Sequence, residues 1–297
     1  MKYEERKDYN KVITIKLEIP SGCNANCVFC YMKEYPNKCY NHRIFLDNFI
    51  DSLNFLVKEI GNKNEISLDI TGNEPTLNKD LLKSVLLKLK EYNIKSKVLR
   101  TTITTNGANL KDLIPYFEGV IDYVNISIHH YDKLKRDNIF KINTLSDNEY
   151  KNCIKGLNKI GITASAVCVI YKPIKNFKIF MDNFIKWCED IGFISLRFRN
   201  DVFWKETEFD DYMNIALHDE QFTIINHENT TDSHWCRLRK YNKFRVFFLH
   251  GVKDTSILTK GIEYVIADDG KVYCDFYKQK PIEKYEYEIG KIYDLKK

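Results

Sequence analysis

Three cysteines lie close together near the start of the chain. Cys23, Cys27 and Cys30 place three thiols within eight residues. Thiolates are preferred ligands of soft metals and iron–sulfur clusters, and three of them can hold three irons of a cubane cluster while the fourth iron takes an external ligand. A closed zinc site needs a fourth protein ligand, for which Cys39 is the nearby candidate. The spacing favours an iron–sulfur cluster, with zinc as the alternative.

The other cysteines give weaker signals. The total of nine is odd and the chain starts without the apolar core of a signal peptide, so we expect a reducing compartment rather than a disulfide framework. Cys153, Cys168 and Cys188 fall on apolar patterns and are predicted to be buried core thiols. Cys236 and Cys274 lie in the C-terminal part, and two cysteines cannot hold a whole second cluster without other ligands.

The cysteine segment follows a run, 12–19, in which apolar and polar residues alternate as in a strand. Strand-like runs and helical periodicities then take turns along the chain. Further strands are predicted at 66–71, 98–105, 123–128, 162–171 and 194–198, and helices at 46–60, 81–89, 110–117, 150–160 and 177–191. These are about six strand–helix units of roughly 30 residues, the sixth with a polar stretch in place of a clear helix, and they predict a parallel sheet with crossover helices. Catalysis in such folds takes place at the C-terminal ends of the strands.

The character of the sequence changes after about residue 228. A polar segment at 227–233 is followed by strand-like runs at 244–249 and 261–267, and Asp268-Asp269-Gly270 predicts a hairpin turn into 271–277. We therefore predict two parts, an α/β barrel-like domain over 1–228 and a small β-rich region over 229–297.

Charge and hydropathy exclude several classes of protein. Lys and Arg number 46 against 41 Asp and Glu, a net charge of +5 that is not gathered into one patch, so a nucleic-acid partner is not expected. No stretch approaches the roughly 18 consecutive apolar residues that a membrane helix needs. The sequence therefore predicts a cytoplasmic protein without a membrane partner.

The cysteine motif resembles that of the radical S-adenosylmethionine (SAM) enzymes, C-x3-C-x-aromatic-C, with Phe29 at the aromatic position. The resemblance implies a partial (β/α)6 TIM-like barrel and a [4Fe–4S] cluster held by Cys23, Cys27 and Cys30. It also implies that Phe29 lies against the adenine of SAM.

Weaker marks of the same family follow the next strands. Gly72-Asn73-Glu74-Pro75 resembles the family's Gly-Gly-Glu-Pro, which binds the methionine amino group of SAM, although Asn73 replaces the second glycine. Because Asn tolerates left-handed backbone angles better than most residues, we expect the turn to survive. Thr105 and Asn106 belong to a Thr-Asn-Gly that also matches the family.

The resemblance extends to polar residues on two later strands. Asn125 and Ser127 share a face of the fourth strand, and the family commonly uses such residues to reach the SAM ribose. Arg199, near the end of the sixth strand, could pair with the SAM carboxylate or with a surface carboxylate.

Catalytic residues are harder to assign. His129, His130 and Tyr131 follow the fourth strand and are candidates for a proton donor and a radical relay, or for packing at a strand end. Cys39 could donate a hydrogen atom to a product radical, or could be a free surface thiol. The resemblance further implies reductive cleavage of SAM to a 5′-deoxyadenosyl radical, oxygen sensitivity, and an electron donor such as flavodoxin or ferredoxin.

The C-terminal region resembles the extension called SPASM or twitch, through the segments 266–274 and 289–293. That extension normally has more cysteines, so we expect a cluster-free relative of it that acts as a cap. The resemblance favours a peptide or natural-product substrate. The alternatives are a nucleoside or sugar substrate, and a protein that keeps an iron–sulfur cluster or zinc without catalysis.

Overall fold

The computed structural model describes residues 12–30, 41–61, 64–200, 208–229, 234–240, 243–250 and 263–273. Their strands form one sheet. In chain order the strands are β1 Val12–Ile19, β2 Glu65–Gly72, β3 Arg100–Thr105, β4 Tyr123–Ser127, β5 Thr163–Ile170, β6 Ser195–Asn200, β7 Phe222–Asn229, β8 His234–Lys240, β9 Phe244–His250, β10 Glu263–Ile266 and β11 Val272–Tyr273.

Seven α-helices lie between the described strands, along with a 3-10 turn at Ile94–Ser96. The helices are α1 His42–Gly61, α2 Lys79–Glu91, α3 Leu110–Phe117, α4 Lys133–Phe140, α5 Asp147–Lys159, α6 Phe177–Ile191 and α7 Glu208–Leu217. None of the described helices is long and apolar enough to cross a bilayer. The α/β fold with a parallel sheet and flanking helices, predicted from the sequence, is confirmed.

The sheet has the order β11-β10-β1-β2-β3-β4-β5-β6-β9-β8-β7 and is not closed. Strands β1 to β6 are parallel neighbours in chain order. Two C-terminal strands continue this parallel part, since β10 pairs with β1 and β9 with β6. The β-rich C-terminal region is therefore built into both edges of the barrel sheet, with the antiparallel strands β11, β8 and β7 outermost.

The two faces of the sheet differ in chemistry because side chains alternate along each strand. On β1, Ile15 and Leu17 are fully buried and belong to the main hydrophobic core. On β6, Phe198 packs its ring 5.5 Å from that of Phe177 in α6. This apolar face lies against the helices. The opposite face, which we call the inner face, carries mainly polar and charged side chains.

The described structure contains elements that the sequence analysis did not predict. Helix α4 buries only Arg136 and Phe140, so it lacks an apolar stripe, and its start is fixed by Asp132, whose side chain accepts from the Lys135 amide. Strand β7 covers part of the predicted polar segment. Ile224 on this edge strand is half exposed, which explains the weak alternation of its sequence. The predicted domain boundary at 228/229 falls at the end of β7.

A buried guanidinium holds the segment after β4 in place. Arg136 has no solvent exposure and donates to the carbonyls of His130 at 3.3 Å and Tyr131 at 2.5 Å. It also donates to Asp147 Oδ1 at 2.9 Å, and its guanidinium lies 4.9 Å from the Trp187 ring. Loss of this group leaves buried carbonyls without donors, which is costly.

We expect Arg136→Met to lower the free energy of unfolding by about 3–5 kcal/mol, the usual cost of removing one partner from a buried ionic network. Arg43→Met is the matched control. The Arg43 side chain is 92% exposed, and its Nε forms a long surface ion pair of 3.9 Å with Asp47 Oδ2. The control should change stability by less than about 0.5 kcal/mol. Urea unfolding measures both variants. Equal urea midpoints for the wild type and Arg136→Met would show that Arg136 does not stabilise the fold.

Candidate functional site

The cysteine segment forms a loop directly after β1. Its hydrogen bonds run from the Cys30 amide to the Cys27 carbonyl at 3.2 Å and from the Asn26 amide to the Phe140 carbonyl at 2.8 Å. The Ala25 amide donates to Cys23 Sγ at 3.3 Å. The loop is therefore anchored to the end of α4, and one of its amides already points at a thiol sulfur.

The donor set fits a cubane cluster. Among the described residues, no three His, Cys, Asp or Glu side chains are placed to hold a single metal ion. A cubane binds each cysteine at a separate iron and so accepts thiolates that are further apart. Partial desolvation raises the pKa of the Cys23 thiol although its side chain is exposed in the loop, and a bound metal would lower that pKa. Cys39, the fourth ligand of the zinc alternative, lies outside the described residues.

Phe29 lies at the ends of β4 and β5. Its ring is 4.8 Å from the His129 ring, edge to face, and 4.9 Å from the Tyr171 ring. The His129 ring in turn stacks on Phe140 at 4.7 Å. The aromatic position of the cysteine motif thus belongs to a packed cluster of rings.

A buried carboxylate links the loops after β2 and β3. Glu74 is 1% exposed. Its Oε1 accepts from the Thr76 amide at 3.1 Å, from the Thr76 hydroxyl at 2.6 Å and from the Thr105 hydroxyl at 2.5 Å. Its Oε2 accepts from the Asn106 amide at 2.6 Å. Burial raises the pKa of Glu74, and these hydrogen bonds to the ionised form oppose the rise.

The same residues reach the cysteine loop. The Glu74 amide donates to the Gly22 carbonyl at 3.2 Å, and the Ser21 hydroxyl donates to the Glu74 carbonyl at 2.6 Å. The Asn106 side-chain amide donates to Asn24 Oδ1 at 2.8 Å. The loops after β1, β2 and β3 are therefore fixed to one another through Glu74 and Asn106.

The loop accommodates Asn73 because its left-handed position is occupied by Gly72, one residue earlier. Gly72 has φ +124°, and a Cβ there would lie 2.8 Å from the Ile19 carbonyl oxygen, so only glycine fits. Asn73 is not among the described residues with positive φ. The left-handed tolerance of asparagine, which the sequence analysis invoked, is therefore not needed. Pro75 follows in the same loop and is buried.

The polar residues predicted on later strands lie on the inner face. Asn125 Nδ2 donates to the Thr104 hydroxyl at 3.4 Å, while its buried Oδ1 has no partner. Ser127 is half-buried one step nearer the strand end, and Arg199 is exposed at the end of β6. Glu74 and Asn106 are joined directly to the cysteine loop, whereas no hydrogen bond joins Asn125 or Arg199 to it.

Comparison with known proteins decides the family. Residues 17–178, just over half of the chain, match the Radical SAM superfamily. The chain belongs to this superfamily. A [4Fe–4S] cluster and SAM are therefore its cofactors, and the chain is a radical SAM enzyme.

Several curated relatives bear one name. A probable GTP 3′,8-cyclase of Sulfolobus acidocaldarius is 33% identical over 139 residues, which are 44% of this chain and 39% of the relative. The GTP 3′,8-cyclase of Pasteurella multocida is 28% identical over 185 residues, which are 59% of this chain and 50% of the relative. The chain thus matches about half the length of these relatives or less.

A solved structure supports the fold. SuiB of Streptococcus suis bound to S-adenosylmethionine superposes with a TM-score of 0.59 at 12% identity. The superposition covers 95% of this chain and 65% of SuiB. At this identity the likeness concerns the fold alone. The superposed part includes most of the described sheet of this radical SAM protein. The resemblance to a SPASM or twitch extension stays a prediction.

The three candidates after β4 are held by packing. Burial lowers the pKa of His129 to about 3, and His129 Nδ1 accepts from the Val169 amide at 3.1 Å. Burial lowers the pKa of His130 to about 4, and its Nδ1 accepts from the Asp132 amide at 2.9 Å. The Tyr131 ring lies 6.0 Å from that of Phe184 in α6. These contacts favour the packing alternative, and a direct catalytic role stays a prediction.

The remaining described cysteines are core thiols. Cys153, Cys168 and Cys188 are buried, as the sequence predicts. Cys236 is fully buried in the main core, and burial raises the pKa of its thiol to about 12. A neutral thiol in this position is a poor metal ligand. Cys274 lies outside the described residues.

Two residues of the site were missed by the sequence analysis. Asn24 lies between the first two cysteines and accepts from Asn106, and Thr76 donates twice to Glu74. Thr76 directly follows the motif Gly72-Asn73-Glu74-Pro75, so Thr76 could have been found. The contact of Asn24 spans 82 residues of sequence and has no local signal.

We expect Glu74→Gln to weaken SAM binding about tenfold and to lower thermal stability, because the amide places a donor against existing donors and charge-assisted bonds worth about 1.5–3 kcal/mol are lost. Equilibrium dialysis of SAM against anaerobic protein with a reconstituted cluster measures the effect. Glu118→Gln, at an exposed position after α3, is the control. Unchanged SAM affinity in Glu74→Gln would contradict the role of this carboxylate.

We expect stability to fall as the pH drops below 6.5, because the unfolded chain binds protons that buried, neutral His129 and His130 do not. Each contributes at most about 1.4 kcal/mol per pH unit, down to its folded pKa. His129→Asn keeps an acceptor for the Val169 amide without titrating, so its unfolding free energy should depend less steeply on pH between 6.5 and 4. Urea unfolding across this range measures it, with His218→Asn as the exposed control. Identical slopes for wild type and His129→Asn would overturn the assignment.

Proposed function

We propose that this radical SAM enzyme binds its [4Fe–4S] cluster through Cys23, Cys27 and Cys30, cleaves SAM reductively, and abstracts hydrogen from a nucleotide substrate. The observation that carries the proposal is the hydrogen-bonded connection of the three-cysteine loop, through Glu74 and Asn106, to the ends of β2 and β3. Such a connection fixes the cysteines relative to the strand ends where a substrate of this fold binds.

The residues around the loop suit SAM. Glu74 is buried without a cationic partner among the described residues, so its charge favours the ammonium of the methionine moiety. Phe29 offers an aromatic surface for adenine, and Asn125 and Ser127 offer hydrogen-bonding groups for ribose. Arg199, exposed at the strand end, is suited to the carboxylate as a planar fork.

The chemistry balances with one electron. When bound, the reduced cluster would supply the one electron that breaks the carbon–sulfur bond of SAM, giving methionine and a 5′-deoxyadenosyl radical, which would take a hydrogen atom from a substrate carbon and become 5′-deoxyadenosine. A flavodoxin or ferredoxin is the proposed electron donor. The protein's part is to orient the substrate carbon and to exclude water and other hydrogen donors.

The substrate class rests on the relatives and on charge. Relatives named GTP 3′,8-cyclase support a nucleotide over the peptide or natural product that the sequence analysis ranked first. Apart from Arg199, which is offered for the SAM carboxylate, the inner face of β6 and β9 carries two cations, Arg197 and Arg245. Guanidinium groups match the phosphates of a nucleotide better than the backbone of a neutral peptide.

We expect anaerobic protein with a reconstituted cluster, dithionite and SAM to form 5′-deoxyadenosine, and GTP or ATP to raise its yield severalfold. Cys27→Ala should lose the cluster and the product, because two thiolates cannot hold the cubane. Cys153→Ala, a buried thiol away from the loop, is the matched control and should keep both. Liquid chromatography of the products and iron analysis provide the readouts.

Three results would contradict the proposal. A fully loaded cluster that yields no 5′-deoxyadenosine would remove SAM cleavage. Product formation that responds to peptides and not to nucleotides would remove the substrate class. Zinc in place of iron in anaerobically purified protein would favour the non-catalytic alternative.

A further inference from the structure

Arginines occupy successive positions on the inner face of three adjacent strands. On β6, Arg197 stands in register with Phe247 of β9, and Phe247 stands in register with Arg237 of β8. Arg245, two residues before Phe247, occupies the same face one step deeper. Adjacent strands are about 4.8 Å apart and alternate residues about 6.8 Å apart. The backbones of these arginines therefore lie within about 10 Å of one another.

Aromatic rings hold two of these guanidinium groups. The Arg197 guanidinium carbon lies 5.2 Å from the centre of the Tyr123 ring and 5.1 Å from that of Phe247. The Arg237 guanidinium carbon lies 5.2 Å from the same Phe247 ring. Such stacking holds a guanidinium by its faces and leaves its N–H edges for hydrogen bonds. The side chains are ordered before any ligand arrives.

No carboxylate of the described structure neutralises Arg197 or Arg245. Neither forms an ion pair with a described residue, although both are half-buried. The described strands β3 to β9 contain a single acidic residue, Glu228, on the outermost strand. Half-buried cations without counter-charges raise the local potential and favour an anion.

Other polar atoms nearby lack partners. Arg197 Nε, Asn125 Oδ1 and Thr102 Oγ1 are buried on the inner face without a hydrogen-bond partner. Buried polar groups are normally paired, and an unpaired one calls for an explanation.

We propose that Arg197 and Arg245, with Arg237 across the Phe247 ring, bind the phosphate groups of the substrate. The proposal rests on the proposed nucleotide substrate and assigns it an anchoring site separate from the residues offered for SAM. Arg237 and Arg245 lie on β8 and β9, outside the segment that matches the Radical SAM superfamily. Phosphate oxygens match the planar guanidinium fork and carry the negative charge that is absent from the inner face of β3 to β6, β8 and β9.

The test measures binding rather than turnover. Inorganic triphosphate, GTP and guanosine are titrated by calorimetry into anaerobic holoenzyme with SAM. Wild type should bind triphosphate and GTP, and guanosine much more weakly. Arg197→Met keeps a side chain of similar length between Tyr123 and Phe247 but removes the charge. It should weaken triphosphate binding about tenfold or more, because the charge-assisted hydrogen bonds to the phosphate oxygens are lost.

Controls separate charge from folding. Arg43→Met removes an exposed arginine and should leave triphosphate affinity unchanged, and Arg197→Lys should fall between Arg197→Met and wild type because it keeps charge without the planar fork. Iron content and melting temperature identify variants that fail to fold, and Arg245→Met provides a second, independent position that should also weaken binding. A tricarboxylate, citrate, identifies a preference for carboxylates.

Three outcomes would overturn the site. In the first, the wild type does not bind triphosphate. In the second, citrate binds more tightly than triphosphate. In the third, Arg197→Met and Arg245→Met both bind triphosphate with wild-type affinity. The proposed function fails independently of this. If triphosphate binds and both variants lose it, the phosphate site stands even when no nucleotide supports 5′-deoxyadenosine formation.

Discussion

The site depends on one buried carboxylate. Glu74 is closed off from solvent and accepts hydrogen bonds from residues that follow two different strands, Thr76 after β2 and Asn106 after β3. An ionised group in such a place is costly unless its oxygens are satisfied. Because its backbone is also bonded to Gly22, satisfying that one group fixes three loops at once. The cysteine loop therefore has a defined position although its own secondary structure is slight.

Side chains alternate between the two faces of the sheet along each strand, and the two faces have different roles. Alternate residues of β6 and β9 pack against the helices, as Phe198 and Phe248 do with rings 5.1 Å apart. The residues between them, such as Arg197 and Arg245, are thereby turned to the inner face. Core packing and the proposed phosphate site therefore use the same strands without competing for the same side chains. Arg197 and Arg245 themselves are half-buried.

Much of the fold could be predicted because its signals are local. The period of α6 and the alternation of β1 predicted both with the bounds that the structure has. Helix α4 was missed because a buried arginine replaces an apolar stripe, and its stabilising contacts reach Asp147, 11 residues away. The pairing of β10 with β1 joins residues nearly 250 positions apart, and no local pattern encodes it. The motif residues were predicted from their residue types and spacing. The hydrogen bond from Asn106 to Asn24 joins residues 82 positions apart and has no local signal in the sequence.

The positions of the two groups of residues suggest how the barrel uses charge. The cysteine loop follows β1, near one edge of the open sheet. The arginines lie on β6, β9 and β8, towards the opposite edge. A phosphate held by Arg197 and Arg245 would anchor one end of a substrate while its uncharged part extends towards Phe29. Binding energy gained at a group remote from the reaction then serves to orient the carbon that loses hydrogen. A radical has little intrinsic selectivity among carbon–hydrogen bonds, so this remote anchor would determine which carbon reacts.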